Sequence, residues 1–196
     1  DLEINQKTAL YEACRFGNTD VVELLIKKGA KTNCVTKNGK TPLHVACQNG
    51  YSKIVTLLLN SQEVDVNLLT ISPKNIRTCY APLHLACMNN RSNIKHSHNS
   101  EQSNKQLCVE VLINNPKTDI NVLTSMNETA LVIASDKLNY DIIKILLQDT
   151  KIDPNAKGRS GNTVLHVCCQ NNKLDLIEIL LNNPNTDVNL TNIDDK

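Results

Sequence analysis

Five near copies of one four-residue signature recur along this chain. They read Thr-Ala-Leu-Tyr at Thr8–Tyr11, Thr-Pro-Leu-His at Thr41–His44, Ala-Pro-Leu-His at Ala81–His84, Thr-Ala-Leu-Val at Thr129–Val132 and Thr-Val-Leu-His at Thr163–His166. Their start-to-start steps are 33, 40, 48 and 34 residues. A fixed period of this size means a stacked array, in which each unit buries its apolar face only against its neighbours. The 196 residues therefore read as one elongated domain, although length alone would allow two. With one Phe, four Tyr and no Trp, the core must pack through Leu, Ile, Val and Ala, which suits short stacked helices. Arrays of this kind work through an extended surface rather than a catalytic pocket.

The second repeat shows the plan. Asn38-Gly39 is a turn dipeptide, Thr41 a helix N-cap and Pro42 a first helical residue. Leu43, Val45, Ala46 and Cys47 give a short apolar helix, which Gly50 ends by accepting a left-handed conformation. Ile54, Val55, Leu57, Leu58 and Leu59 form a second apolar helix, and Asp65-Val66-Asn67 leads into the next loop. The matching second helices are Val21–Ile26, Cys108–Ile113, Ile142–Leu147 and Leu176–Leu181. We place the repeats at about residues 4–36, 37–70, 77–124, 125–158 and 159–192.

The chain resembles the ankyrin repeat family. The five signatures, the apolar second helices and the Asp-x-Asn endings carry the resemblance over almost the whole length, from about Ile4 to Asp194. It implies an all-α solenoid of helix pairs with loops or β-hairpins projecting near 90°. It also implies an L-shaped section and a concave face made by the loops and first helices.

The two ends differ. Glu12 stands where the other repeats place Val45, Leu85, Ile133 and Val167, and Tyr11 replaces the signature His. A charge there is costly under another repeat, so the first repeat reads as a cap. The fifth repeat, with Leu176, Ile177, Ile179, Leu180 and Leu181, keeps the interior pattern. We expect the parent polypeptide to continue with more repeats, and these residues by themselves to be monomeric.

The third repeat is irregular. The step from the loop Asn to the next signature is 8 residues from Asn33, Asn121 and Asn155, but 14 from Asn67. Cys47 to Ile54 is 7 residues, whereas Cys87 to Cys108 is 21, a 14-residue insertion near 90–105. Residues 68–107 carry Lys74, Arg77, Arg91, Lys95 and Lys105 against Glu101 alone, while the whole chain is only +1. This segment reads either as a basic docking patch for an acidic peptide or protein surface or as a solvated loop.

Several chemical motifs have plainer readings. His44, His84 and His166 share a signature position, and the resemblance gives them a bonding role between repeats. Cys14, Cys47, Cys87 and Cys169 each follow the signature start by six residues. Equivalent atoms in a stack lie one helix-pair width apart, about 8–10 Å, too far for disulfides, which need about 7 Å or less. They read as small core residues in a reducing, intracellular setting, cytoplasmic or nuclear. Cys168 reads the same way. His96 and His98, with Cys87 and Cys108, could form a zinc quartet, but both cysteines fall on core positions. No phosphate loop, cofactor motif or catalytic constellation is present, and no run of 18 apolar residues. No leader is visible, but the chain begins at Asp1, so this says little. The resemblance makes Asn67, Asn121, Asn155 and Asn189 potential substrates of asparaginyl hydroxylases. The plainer reading is that they satisfy loop backbone groups.

The leading functional expectation is a protein-interaction scaffold, not an enzyme, with no cofactor or metal. The resemblance points to variable loop positions and the pair after each first helix. These are Lys37, Asn38, Lys40, Gln48 and Asn49 in the second repeat and Arg77, Thr78, Tyr80, Met88 and Asn89 in the third. In the fourth they are Ser125, Met126, Glu128, Asp136 and Lys137, and in the fifth Arg159, Ser160, Asn162, Gln170 and Asn171. Tyr80, Met88 and Met126 would supply adaptable apolar contact and Arg77 a charged anchor. The alternative is a regulatory domain that senses an anionic small molecule or nucleic acid at the basic third repeat. Near-zero net charge and scarce aromatics argue against nucleic acid.

Overall fold

The computed structural model describes residues 7–61, 63–71, 78–88, 105–158 and 160–193. Ten helices form five pairs among them: α1 (Ala9–Phe16) with α2 (Thr19–Lys27), α3 (Pro42–Asn49) with α4 (Ser52–Leu59), α5 (Pro82–Cys87) with α6 (Lys105–Ile113), α7 (Ala130–Asp136) with α8 (Tyr140–Leu146), and α9 (Val164–Gln170) with α10 (Leu174–Leu181). No strand occurs among the described residues.

Local chemistry sets these bounds. Thr8, Thr41 and Thr129 hold extended backbone at the N-caps, and their hydroxyls accept from the amides of Tyr11, His44 and Val132. Pro42 and Pro82 fill first-turn positions, where no backbone donor is missed. Gly17 (φ 76°) and Gly50 (φ 77°) close α1 and α3 in the left-handed region. After α7 and α9 the same conformation falls on Leu138 (φ 52°) and Asn172 (φ 53°). Among the described residues none at the end of α5 adopts this conformation. There α5 stops at Cys87, and the Lys105 ammonium donates to the carbonyls of Leu85 and Met88.

The first helices pack in one row, α1 on α3 on α5 on α7 on α9, and the second helices in another, α2 on α4 on α6 on α8 on α10. One continuous apolar core runs between the rows. Leu10, Leu43, Leu83 and Leu131 anchor the first row, and Val22, Val55, Val109 and Ile143 the second, all essentially inaccessible. Each such side chain contributes about 1.5–3 kcal/mol relative to exposure. The connecting loops are tight turns. Thr36 N–H donates to Lys40 O and Gly39 N–H to Thr36 O, and Thr124 with Glu128 and Gly158 with Asn162 repeat the first bond. Gly39 cannot be replaced easily, because a Cβ there would lie 2.5 Å from the Ile71 nitrogen of the next loop.

Leu138 is half-exposed, and its left-handed backbone lets Asn139 N–H reach Ala134 O (2.9 Å), a bond that glycine at this position keeps. For an L-residue that conformation costs roughly 1–2 kcal/mol, offset in part by the extra chain entropy of glycine. Leu138→Gly should therefore raise the thermal midpoint by about 2 °C. An unchanged or lower midpoint contradicts this account of the α7 terminus.

Candidate functional site

The signature histidines join neighbouring repeats. Thr41 N–H donates to His44 Nδ1 (3.1 Å), and His44 Nε2 donates to Tyr80 O (3.1 Å). Ala81 N–H donates to His84 Nδ1 (2.9 Å), and His84 Nε2 donates to Val122 O (2.9 Å). A neutral ring with its proton on Nε2 satisfies both bonds. Burial pushes the pKa of both His44 and His84 down to about 4.

The loop asparagines form a second link. Asn67 Nδ2 donates to Lys117 O (2.8 Å), while Asn67 Oδ1 accepts from Asp119 N–H (2.9 Å). Asn121 grips Lys151 O and Asp153 N–H in the same way, and Asn155 grips Asn185 O and Asp187 N–H. Asn33 does so with Glu63 O and Asp65 N–H. The backbone amides of Asn67, Asn121 and Asn155 are in turn held by the Asp two residues before each, as in Asn121 N–H to Asp119 Oδ1 (3.0 Å). These polar groups are engaged in the stack.

All eight thiols are free. Burial pushes Cys14, Cys87 and Cys108 up to about 12 and Cys168 to about 11, which leaves them protonated and inert near neutral pH. One expectation fails. Cys169 has the sequence position of a core cysteine but is exposed. Its equivalents Cys14, Cys47 and Cys87 are buried on first helices that each pack against the first helix of the following repeat, and no described helix follows α9 and α10. Among the described residues no group of three His, Cys, Asp or Glu side chains could hold a metal ion. His96 and His98 lie outside the described residues.

The surface positions expected to meet a partner divide into three groups. Lys37, Asn38, Ser125, Met126, Asp136, Lys137, Ser160, Gln170 and Asn171 are exposed. Others are tied into the scaffold. Lys40 Nζ donates to Gln48 Oε1 (2.6 Å), and burial lowers the Lys40 pKa. Asn49 Nδ2 reaches Arg15 O of the previous repeat (3.0 Å), and Asn162 Oδ1 accepts from Asn192 Nδ2 (2.8 Å). Ser125, though exposed, accepts from Cys79 N–H (2.9 Å). Glu128 is buried. Thr78, Tyr80 and Met88 are half-buried, with the Tyr80 ring edge-on to His84. Arg77, Asn89 and Arg159 lie outside the described residues, as do Lys74, Arg91 and Lys95 of the basic segment. Lys105, counted with that segment, is half-buried at the end of α5, and burial lowers its pKa. It is a structural cation rather than part of an open patch.

The structure adds residues that the sequence reading missed. Val35 and Leu123, both two places after a ladder asparagine, are exposed, and Leu69 at the same register is half-buried. Ile71 (59% exposed) and Met126 (52% exposed) stand on the loops beside them. The available signal was an apolar residue recurring at a loop register outside either helix pattern.

The sequence model described as Ankyrin repeats (3 copies) matches residues 1–70, 65–158 and 97–192. The chain belongs to the ankyrin repeat family. Ankyrin repeats are in general protein–protein interaction modules, and proteins built from them are typically non-enzymatic binding scaffolds. No curated protein matches the sequence. Among the described residues no helix is long and apolar enough to cross a membrane.

The ankyrin histidines give the stack a pH dependence. His44 and His84 stay neutral in the fold down to about pH 4, whereas an unfolded histidine takes up its proton near pH 6.5. The unfolded state therefore binds more protons between these values, and stability falls as pH drops through that window. The loss is about 2–3 kcal/mol per ring by pH 4.5. Urea unfolding at pH 7 and pH 4.5 should show His84→Gln losing less stability across this interval than the parent by about that amount. Equal losses in the two proteins would contradict the buried neutral ring.

Proposed function

We propose that this ankyrin domain binds a protein partner through the ridge formed by its loop tips and the adjoining ends of its first helices. The observation that carries the reading is the row of exposed apolar side chains on stacked loops, Val35, Ile71, Leu123 and Met126. Exposed apolar residues grouped on one edge mark interaction surfaces. Here neighbouring polar loop groups are tied up in the stack, as with Asn162 and Ser125, so side-chain contact rather than loop rearrangement must supply recognition. Asp136 and Lys137, exposed at the end of α7 in the same repeat, add charged groups to this surface. A peptide segment with two or three apolar anchors fits this layout. An acidic element in the partner would meet the basic residues of the third repeat.

The test is affinity for the partner recovered from the native source. Met126→Ala with Leu123→Ala should weaken binding by roughly ten- to a hundredfold, as anchor truncations do. The thermal midpoint should not change, because both side chains are exposed. Unchanged affinity would remove the loop ridge as the binding surface.

A further inference from the structure

The first repeat places the chain's only phenylalanine in the open. Phe16 lies 8 residues after the signature start at Thr8, the register that Asn49, Lys137 and Asn171 hold in later repeats. Lys137, in the interior fourth repeat, is exposed too, so this register faces solvent within the stack as well. Phe16 is 59% exposed, yet its ring is held. The Arg15 guanidinium lies over it, 4.2 Å from the ring centroid, and is itself fixed by the Glu12 carboxylate (2.6 Å). Gly17 follows in the left-handed region, with the Tyr51 ring packed so closely that a Cβ there would lie 2.9 Å from it. An exposed aromatic side chain that is already ordered gives up little entropy on contact.

A cation stands on the same surface. Asn49 Nδ2 donates to Arg15 O (3.0 Å), and its neighbour Gln48 accepts from Lys40 Nζ (2.6 Å). This line of contacts runs from Phe16 to the half-buried Lys40. The Lys40 ammonium meets an amide oxygen there and pairs with no carboxylate among the described residues. A cation partly withdrawn from water is stabilised most by an anion. The local sequence supplies none, because Lys27, Lys28, Lys31, Lys37, Lys40 and Lys53 lie between Glu23 and Glu63 with no acidic residue among them. Glu12 is taken by Lys7 and Arg15.

We propose that Phe16 and Lys40 together form a docking site for a protein segment in which a large apolar side chain stands beside a carboxylate. The apolar side chain packs on the Phe16 ring, and the carboxylate replaces water on the Lys40 ammonium. The exposed Arg15 and Lys37 add positive charge along the approach, which favours acidic over basic segments. The inference rests on the reading of loop tips and first-helix ends as the binding surface. It adds an aromatic anchor outside the loop ridge and the sign of the partner's charge.

The test pans the full chain against a random peptide library and titrates the strongest peptide against the parent and its variants by calorimetry. The enriched sequences should place Asp or Glu beside a large apolar residue. Phe16→Ala should weaken the peptide by roughly tenfold or more, with an unchanged thermal midpoint because the side chain is exposed. Lys40→Met should also weaken it and flatten its dependence on salt. The proposal is overturned if no peptide is enriched, if the enriched peptides lack the acidic–apolar pair, or if Phe16→Ala leaves affinity unchanged. Met126→Ala with Leu123→Ala, titrated with the same peptide, tests the loop ridge separately. Weakening there but not in Phe16→Ala leaves the ridge standing and removes this site. The reverse pattern keeps this site and counts against the ridge.

Discussion

The hydrogen bonds that cross from one repeat to the next decide where each repeat sits. Apolar contact between helix rows supplies most of the stabilisation, but it is non-directional, and rows of Leu, Ile and Val would tolerate sliding. The Asn side chain, with one donor and one acceptor aimed at a carbonyl and an amide two residues apart, is satisfied in a single register. The buried His rings add a second such constraint. A slip would leave these groups unpaired at about 1–3 kcal/mol each where they are buried.

This arrangement explains how the third repeat tolerates its insertions. Asn121 bonds to a backbone amide 32 residues on, and Asn67 to one 52 residues on, with the same 2.9 Å geometry. The added residues are bypassed by the ladder. Lengthening a loop costs little, about 0.6 kcal/mol per doubling, so regular links on either side outweigh it. Among the described residues no left-handed residue closes α5, where Met88 is extended. Lys105 supplies the missing donors from the start of α6.

Much of the fold was legible because each repeat states its own grammar. The signature Thr caps, the glycines and the apolar runs all act within a few residues of themselves, and the structure places helices on them. Glu12 was readable as an outward-facing residue for the same reason, and it is paired with Arg15 and Lys7. Three features were not legible. Cys169 has the sequence setting of a core cysteine, and only the lack of a described covering helix makes it exposed. Lys105 looked like one cation in a basic segment, because its carbonyl partners lie 17 and 20 residues away. On the proposed binding surface, pattern alone could not separate Met126, which is exposed, from Glu128, which is buried two residues later. That distinction depends on how each loop folds back on its own Thr.

Interaction surfaces on stacked arrays are what remains after the stack has satisfied itself. The exposed loop residues here are free to vary because register is held elsewhere, by atoms that a partner need not touch. The most direct test of that division is a comparison of Asn121→Ala with Asn189→Ala by urea unfolding. The two asparagines share their sequence context, but among the described residues only Asn121 grips a following repeat. Asn121→Ala should cost about 1–2 kcal/mol and Asn189→Ala close to nothing. Equal costs would contradict the claim that these side chains act between repeats rather than within their own loops.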